Sequence, residues 1–245
     1  KTKNSYKLIF SFYFMLRELI YELKLQKNPE KAKILSRFFK TGKGEYAEGD
    51  KFLGIIVPIQ RKIAKKYYSL TLEQLQQLLD STIHEHRFTA LVILINKYNG
   101  ANSQEKERIV NFYIDNFHNI SNWDLVDISC PNIIGDYFLN KPKRKLYEWS
   151  DSNHLWTKRI SIVSTLKLIK NNQFQPTLDL AEKFIEDTHD LIHKASGWML
   201  RELGKRNQEV LESFLNKHSK RMPRTMLRYS IERLSPSKRQ KYMKR

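Results

Sequence analysis

Apolar residues recur every three or four positions along most of the chain, which is helical spacing. From Tyr6 to Lys24 they fall at Phe10, Phe14, Leu16, Ile20 and Leu23 and predict a first helix. Asn28-Pro29-Glu30 then opens a second helix through Phe39, with Asn28 as N-cap and Pro29 in the first turn. Thr41 to Asp50 holds Gly42, Gly44 and Gly49 and is the longest irregular segment expected. Helical periodicity resumes at Pro58 and continues through Leu72 to Leu79, Glu85 to Tyr98, Glu105 to Phe117 and on to Ile231. No stretch alternates polar and apolar residues long enough to form a strand, so the expected fold class is all-α.

Laying the most amphipathic helices over one another exposes a slower repeat. It reads Arg87-x-x-Ala90-x-x-x-Leu94, Asp127-x-x-Cys130-x-x-x-Ile134, Arg159-x-x-Ile162-x-x-x-Leu166, Lys194-x-x-Gly197-x-x-x-Arg201 and Arg224-x-x-Leu227-x-x-x-Ile231. A period of about 30 to 40 residues suits stacked antiparallel helix pairs of the HEAT type, an α-solenoid whose inner helices line a concave groove. The leading position is basic in four of these helices, and Asp127 stands alone among the cations.

Charge gives that register a use. Lys and Arg number 44 against 26 Asp and Glu, a formal net charge of +18, which favours a polyanionic partner. Bases on successive inner helices would neutralise phosphates along a nucleic-acid backbone, in competition with a merely solvated charged face. Gly 8 and Pro 7 are too few for a turn-rich all-β fold. One cysteine, Cys130, excludes an intramolecular disulfide, and a reducing cytoplasm is the simplest home. The apolar run Leu8 to Leu16 lacks a small-residue cleavage site and runs into Arg17 and Glu18, so it is expected to be a helix and not a signal.

Asp127 and Trp123 are four residues apart, which a helix places on one face. In a regular stack Arg159 and Trp198 would join them. Indole faces attract positive charge, and a partly desolvated carboxylate stabilises a developing oxocarbenium ion while orienting water. An N-alkylated purine is already cationic, so its glycosidic bond breaks without a general acid and one carboxylate suffices. The competing reading keeps Trp123, Trp156 and Trp198 in the core and makes Asp127 the structural ion-pair partner of Arg159. Composition and spacing leave both open.

From about Asn28 to Leu234 the chain resembles the AlkD-like DNA alkylation repair glycosylases. The resemblance rests on RFFKTGKGEYAEGDKFLGI (Arg37 to Ile55), HEHR (His84 to Arg87), NWDLVD (Asn122 to Asp127), LWTKRI (Leu155 to Ile160), HDLIHKASGWMLRELGKR (His189 to Arg206) and MPRTMLRYSIE (Met222 to Glu232). It implies a HEAT-like fold that grips duplex DNA and excises cationic bases such as 3-methyladenine and 7-methylguanine without drawing them into a pocket. It implies Asp127 as the catalytic carboxylate, Trp123 and Trp198 as aromatic walls against the lesion, and Arg159 as the phosphate-side partner. Phe38, Arg61, Arg87, Lys158, Lys194, Arg201, Arg224 and Arg228 are the DNA contacts expected with it. Where some active members carry a tyrosine, this chain has Phe38, and the shortest members lack the Thr41 to Asp50 loop.

His84 and His86 diverge on a helix, so a packing or capping role is expected in place of a metal pair. Gly42-x-Gly44 lacks the strand a phosphate loop needs. The domains expected are an N-terminal extension at 1–27, the repeat domain at 28–235 and a solvated, frayed basic tail at 236–245. A monomer without cofactor, bound to alkylated duplex DNA and associated with the nucleoid, is the leading expectation. A HEAT-repeat DNA binder without excision and a protein-binding scaffold are its rivals.

Overall fold

A computed structural model describes the backbone of residues 2–244 and the side chains of residues 14–244. Phe10 and most of the apolar run at Leu8 to Leu16 therefore lie outside the described side chains. Among the described residues the chain is helical throughout, apart from turns, loops and one isolated bridge between Lys51 and Ile83, consistent with the expected all-α solenoid class. It divides into two units, Lys1–Leu125 and Val126–Arg245.

The first unit contains α1 (Thr2–Leu25), α2 (Pro29–Phe38), α3 (Val57–Lys66), α4 (Leu72–Leu79), α5 (His84–Gly100) and α6 (Ser103–Asp115). It ends inside α7 (Trp123–Cys130). α5 is its core: every residue from His84 to Leu94 is buried, and α3, α4 and α6 pack around it. Removing so much apolar surface from water is what holds these short helices, each too short to be stable alone. On α1 the buried face is Leu16, Leu19 and Leu23, while Phe14 is exposed, so the apolar stripe is rotated from the expected one. Asn28 caps α2 as its sequence predicts, accepting a hydrogen bond from the Lys31 amide at 3.0 Å.

The loop between α2 and α3 is stitched down at its far end. Glu85 is 1% exposed, and its carboxylate accepts from the amides of Leu53, Gly54 and Ile55 at 2.9, 2.8 and 3.2 Å. A buried charge is tolerable only with such compensation. Gly54 has φ +85°, and a Cβ there would lie 2.1 Å from the Asn28 carbonyl oxygen, so no other residue fits this crossing.

The second unit begins in α7 and continues through a π-helical turn (Pro131–Gly135), α8 (Arg144–Ser150), α9 (Leu155–Val163), α10 (Thr165–Lys170), α11 (Gln175–Lys183), α12 (Asp190–Arg206), α13 (Gln208–His218), α14 (Arg224–Ile231) and α15 (Pro236–Met243). α12 is the hub and packs on α9, α10, α11, α13 and α14. Gly197 lets α12 and α14 approach: a Cβ there would stand 2.5 Å from the Met226 carbonyl oxygen. The position three after each leading residue of the repeat, namely Ala90, Cys130, Ile162, Gly197 and Leu227, is buried in both units. The repeat register is thus the packing register.

The C-terminal segment differs from the frayed tail expected of it. Ser235 caps α15 and Pro236 stands in its first turn. Tyr242 is 5% exposed and donates to Asn216 Oδ1 at 3.0 Å. One buried ring and a cap are enough to order a basic segment whose composition alone suggests solvation.

Candidate active site

Asp127 lies in α7 and Arg159 in α9, both in the second unit. The guanidinium grips the carboxylate with two parallel bonds, Nε to Oδ1 at 2.9 Å and Nη2 to Oδ2 at 2.8 Å, while Nη1 donates to the Leu191 carbonyl at 2.6 Å. The fork is the geometry that guanidinium and carboxylate share. The Arg159 side chain is 5% exposed and that of Asp127 is 16% exposed, so the cation is sunk behind the anion and the carboxylate keeps an opening to solvent. Arg159 is thereby turned towards Asp127 and not outward as a phosphate ligand. Cys130 is fully buried in the same helix, and burial pushes its thiol well above the usual range, so it is not a nucleophile.

The tryptophans separate by burial. Trp156 is a core residue at 4% exposure, whereas Trp198 in α12 is half-buried. Trp123, in the first unit, is half-buried as well and closes a stack of rings: Phe39 lies parallel to it at 5.1 Å and Phe38 meets it edge-on at 5.8 Å. Phe39 in turn stacks on Phe52 at 5.1 Å, and the His84 ring lies 4.6 Å from Phe52. The structure therefore brings Phe38 and Trp123 together, with the Phe38 ring 61% exposed.

Beneath that stack is a charge network the sequence analysis did not find. His84 Nε2 is 2.8 Å from Asp124 Oδ2, and its Nδ1 is 3.3 Å from Asp50 Oδ2. Asp50 also pairs with the Arg87 guanidinium and accepts from Asn122 Nδ2 at 3.3 Å. Burial alone would lower the His84 pKa, but the Asp124 and Asp50 carboxylates outweigh it and hold it up at about 9. Burial likewise opposes the Asp50 charge, and the His84 and Arg87 donors hold that carboxyl below its ordinary range. The two nearest signals in the sequence were HEHR and the aspartate ending the glycine loop. Neither shows by itself that the two meet. An open apolar pocket of about 290 Å³ borders the network, lined by Ile34, Phe38, Phe39, Phe52, Ile56 and Val57 among others.

Several residues expected on DNA are placed otherwise. Arg87 is 4% exposed, and besides Asp50 it donates to Ser121 Oγ at 2.7 Å and to the Asn119 carbonyl at 3.2 Å. It is a structural cation, because a guanidinium with three internal acceptors in a dry site has no reach to a phosphate. Lys158 pairs with Asp187 at 2.6 Å, Lys194 with Asp190 at 2.7 Å, and Arg201 with Glu232. Arg61 and Arg228 are exposed and make no ion pair among the described residues. Arg224 is exposed and donates to the Met243 carbonyl at 3.2 Å.

The family model described as DNA alkylation repair enzyme matches residues 19–234. The solved structure of a predicted DNA alkylation repair enzyme from Enterococcus faecalis is similar in fold, with a TM-score of 0.68 at 19% sequence identity over 86% of this chain and 98% of that one. No curated relative matches. With the family model spanning most of its length and the all-helical fold in agreement, the chain belongs to the DNA alkylation repair enzyme family.

Proposed function

We propose that the protein is a DNA glycosylase that hydrolyses the N-glycosidic bond of cationic alkylated purines, 3-methyladenine and 7-methylguanine, in duplex DNA. The observation that carries this reading is the Asp127–Arg159 pair: a part-open carboxylate held rigid by a buried guanidinium fork. When the C1′–N bond of a cationic purine breaks, both electrons leave with the base and neutralise it. The positive charge that remains on the sugar is an oxocarbenium ion, and Asp127 stabilises it electrostatically. Water orientated by the same carboxylate adds to C1′ and loses a proton, leaving an abasic site. No metal or redox cofactor is needed for that balance.

Arg159 is a positioning residue in this reading, since it acts by fixing the carboxylate. Trp198, in the same unit as Asp127, supplies a half-exposed indole surface for the lesion nucleotide. Of the cations expected on DNA, Arg61 and Arg228 are exposed without an ion pair among the described residues, Arg224 is exposed with one donor on the Met243 carbonyl, and Lys158, Lys194 and Arg201 reach phosphates only by releasing their carboxylates.

A second reading, DNA binding without excision, is favoured by one feature. Both Asp127 oxygens are engaged by Arg159, so the pair is complete as a structural element. Incubating the protein with methylated duplex DNA at neutral pH and measuring free methylated purine separates the two. Base release supports the glycosylase; binding without release supports the second reading.

A further inference from the structure

The segment HDLIHKASGWMLRELGKR opens with two histidines that the proposed reaction leaves unused, His189 and His193. His189 is the N-cap of α12, and its Nδ1 accepts a hydrogen bond from the Leu191 amide at 3.1 Å. An imidazole accepts at Nδ1 only while that nitrogen carries no proton, a condition that the usual Ser, Thr, Asp and Asn caps do not impose near neutral pH. Leu191 is also the residue whose carbonyl receives Arg159 Nη1 at 2.6 Å, the guanidinium nitrogen that Asp127 does not use. The capped turn and the carboxylate therefore hold the same side chain from different nitrogens.

This turn is fastened to α9 a second time. Asp187 accepts from Lys158 Nζ at 2.6 Å with one carboxylate oxygen and from the His189 amide at 2.8 Å with the other, and its carbonyl accepts from His193 Nε2 at 2.6 Å. His193 can donate there whether neutral or charged. Lys158 and Arg159 are consecutive on α9, so both tethers land between Asp187 and His193. Of these contacts, the His189 bond to Leu191 is the one that a proton breaks in the range where histidine titrates. The charges acting on His189 are Asp187 and Asp190 on its own turn, which favour the charged ring, and His193 and Lys158, which oppose it. α14 meets the turn through Thr225, which bonds Asp190, and α7 brings Asp127, held by Arg159. Burial outweighs the two carboxylates and keeps the His189 pKa below its ordinary value, so the ring is neutral at neutral pH.

We infer that His189 is a positioning residue for the Asp127 carboxylate, acting through Leu191 and Arg159: the neutral ring fixes the first turn of α12, the turn backs the guanidinium, and the guanidinium holds the carboxylate. Protonation leaves the Leu191 amide without its acceptor, and an uncapped first turn frays. Arg159 then loses its backing, and Asp127 its fixed direction. The effect on base release rests on the glycosylase reading, whereas the link from His189 to Arg159 does not.

The test compares the full-length wild type, His189→Ala and His189→Asn in two measurements across pH 5 to 8. One is the single-turnover release of 7-methylguanine from methylated duplex, corrected for uncatalysed loss. The other is the Arg159 Nε–H resonance in nitrogen-15 spectra, which reports the guanidinium without any need for catalysis. In the wild type the resonance should move with the His189 ring, at a midpoint below about 6.5, and release should slow with it. His189→Ala should displace the resonance at every pH and slow release about fivefold at neutral pH, the equivalent of one lost cap. Asparagine caps without titrating there, so His189→Asn should recover most of that loss and abolish both the acid shift and the acid slowing. A merely structural histidine would change the thermal midpoint of the variants and leave the shape of the pH profile alone. An Arg159 resonance that is the same in His189→Ala and wild type would overturn the inference. So would an acid slowing that persists unchanged in His189→Asn, with the glycosylase reading left intact. A resonance that follows His189 while no protein releases base would sink the glycosylase reading and leave the positioning link standing.

Discussion

Asp127 receives two hydrogen bonds from one guanidinium that is itself almost wholly enclosed. Removing the cation would strand a part-buried carboxylate, and the loss exceeds the worth of the intact pair. Arg159→Ala should therefore lower stability by about 3 kcal/mol, measured by chemical denaturation, whether or not the protein is an enzyme. A loss under about 1 kcal/mol would mean that the pair is water-screened. His84 is the second residue whose charge state matters. Its charged form is favoured in the folded state, so that contribution is complete below the unfolded value near 6.5 and disappears as pH rises through about 9. Stability should fall by on the order of 3 kcal/mol across that window. His84→Gln should remove most of the slope, as followed by denaturation at a series of pH values; an equal slope in the variant would place the titration elsewhere.

At the scale of elements, the helices were legible because the apolar spacing that marks them is also what buries them. Ala90, Cys130, Ile162, Gly197 and Leu227 recur at one position of the repeat and are buried in the structure. The Asn28 cap and the irregular Thr41 to Asp50 segment were equally readable, since both depend on local backbone preferences. What failed depended on distant partners. Arg87 occupies the leading position of its helix, yet it turns inward because Asp50, 37 residues earlier, supplies a carboxylate there. The π-helical turn at Pro131–Gly135 keeps an apolar pattern too close to that of an α-helix to be seen. The C-terminal segment read as a solvated tail because one buried tyrosine is invisible among so many cations. The α12–α14 contact yields its own test. A Cβ at Gly197 would lie 2.5 Å from the Met226 carbonyl oxygen and 2.6 Å from Tyr229 Cβ, so Gly197→Ala should cost about 2 kcal/mol or more in thermal or chemical unfolding. A neutral substitution would show that the helices can part without loss.

For the whole molecule, the charge surplus of +18 and the family agree on DNA as the partner, but much of the visible cationic surface is already paired. Lys158, Lys194 and Arg201 each face a carboxylate, which leaves fewer phosphate contacts than the count of lysines and arginines suggests. In the proposed reading the surplus raises local DNA concentration and association rate, whereas the chemistry is assigned to the Asp127 carboxylate. The most direct measurement of that claim is the single-turnover rate of 7-methylguanine release from methylated duplex, at saturating protein, for wild type and Asp127→Asn side by side. Asparagine keeps the shape and can still meet Arg159 through its carbonyl, but it carries no charge to stabilise the sugar cation. The account predicts release by the wild type and a rate lowered by about 100-fold to 1,000-fold in the variant, with duplex binding retained. Equal rates in the two proteins, or no release by the wild type while it binds the duplex, would contradict it.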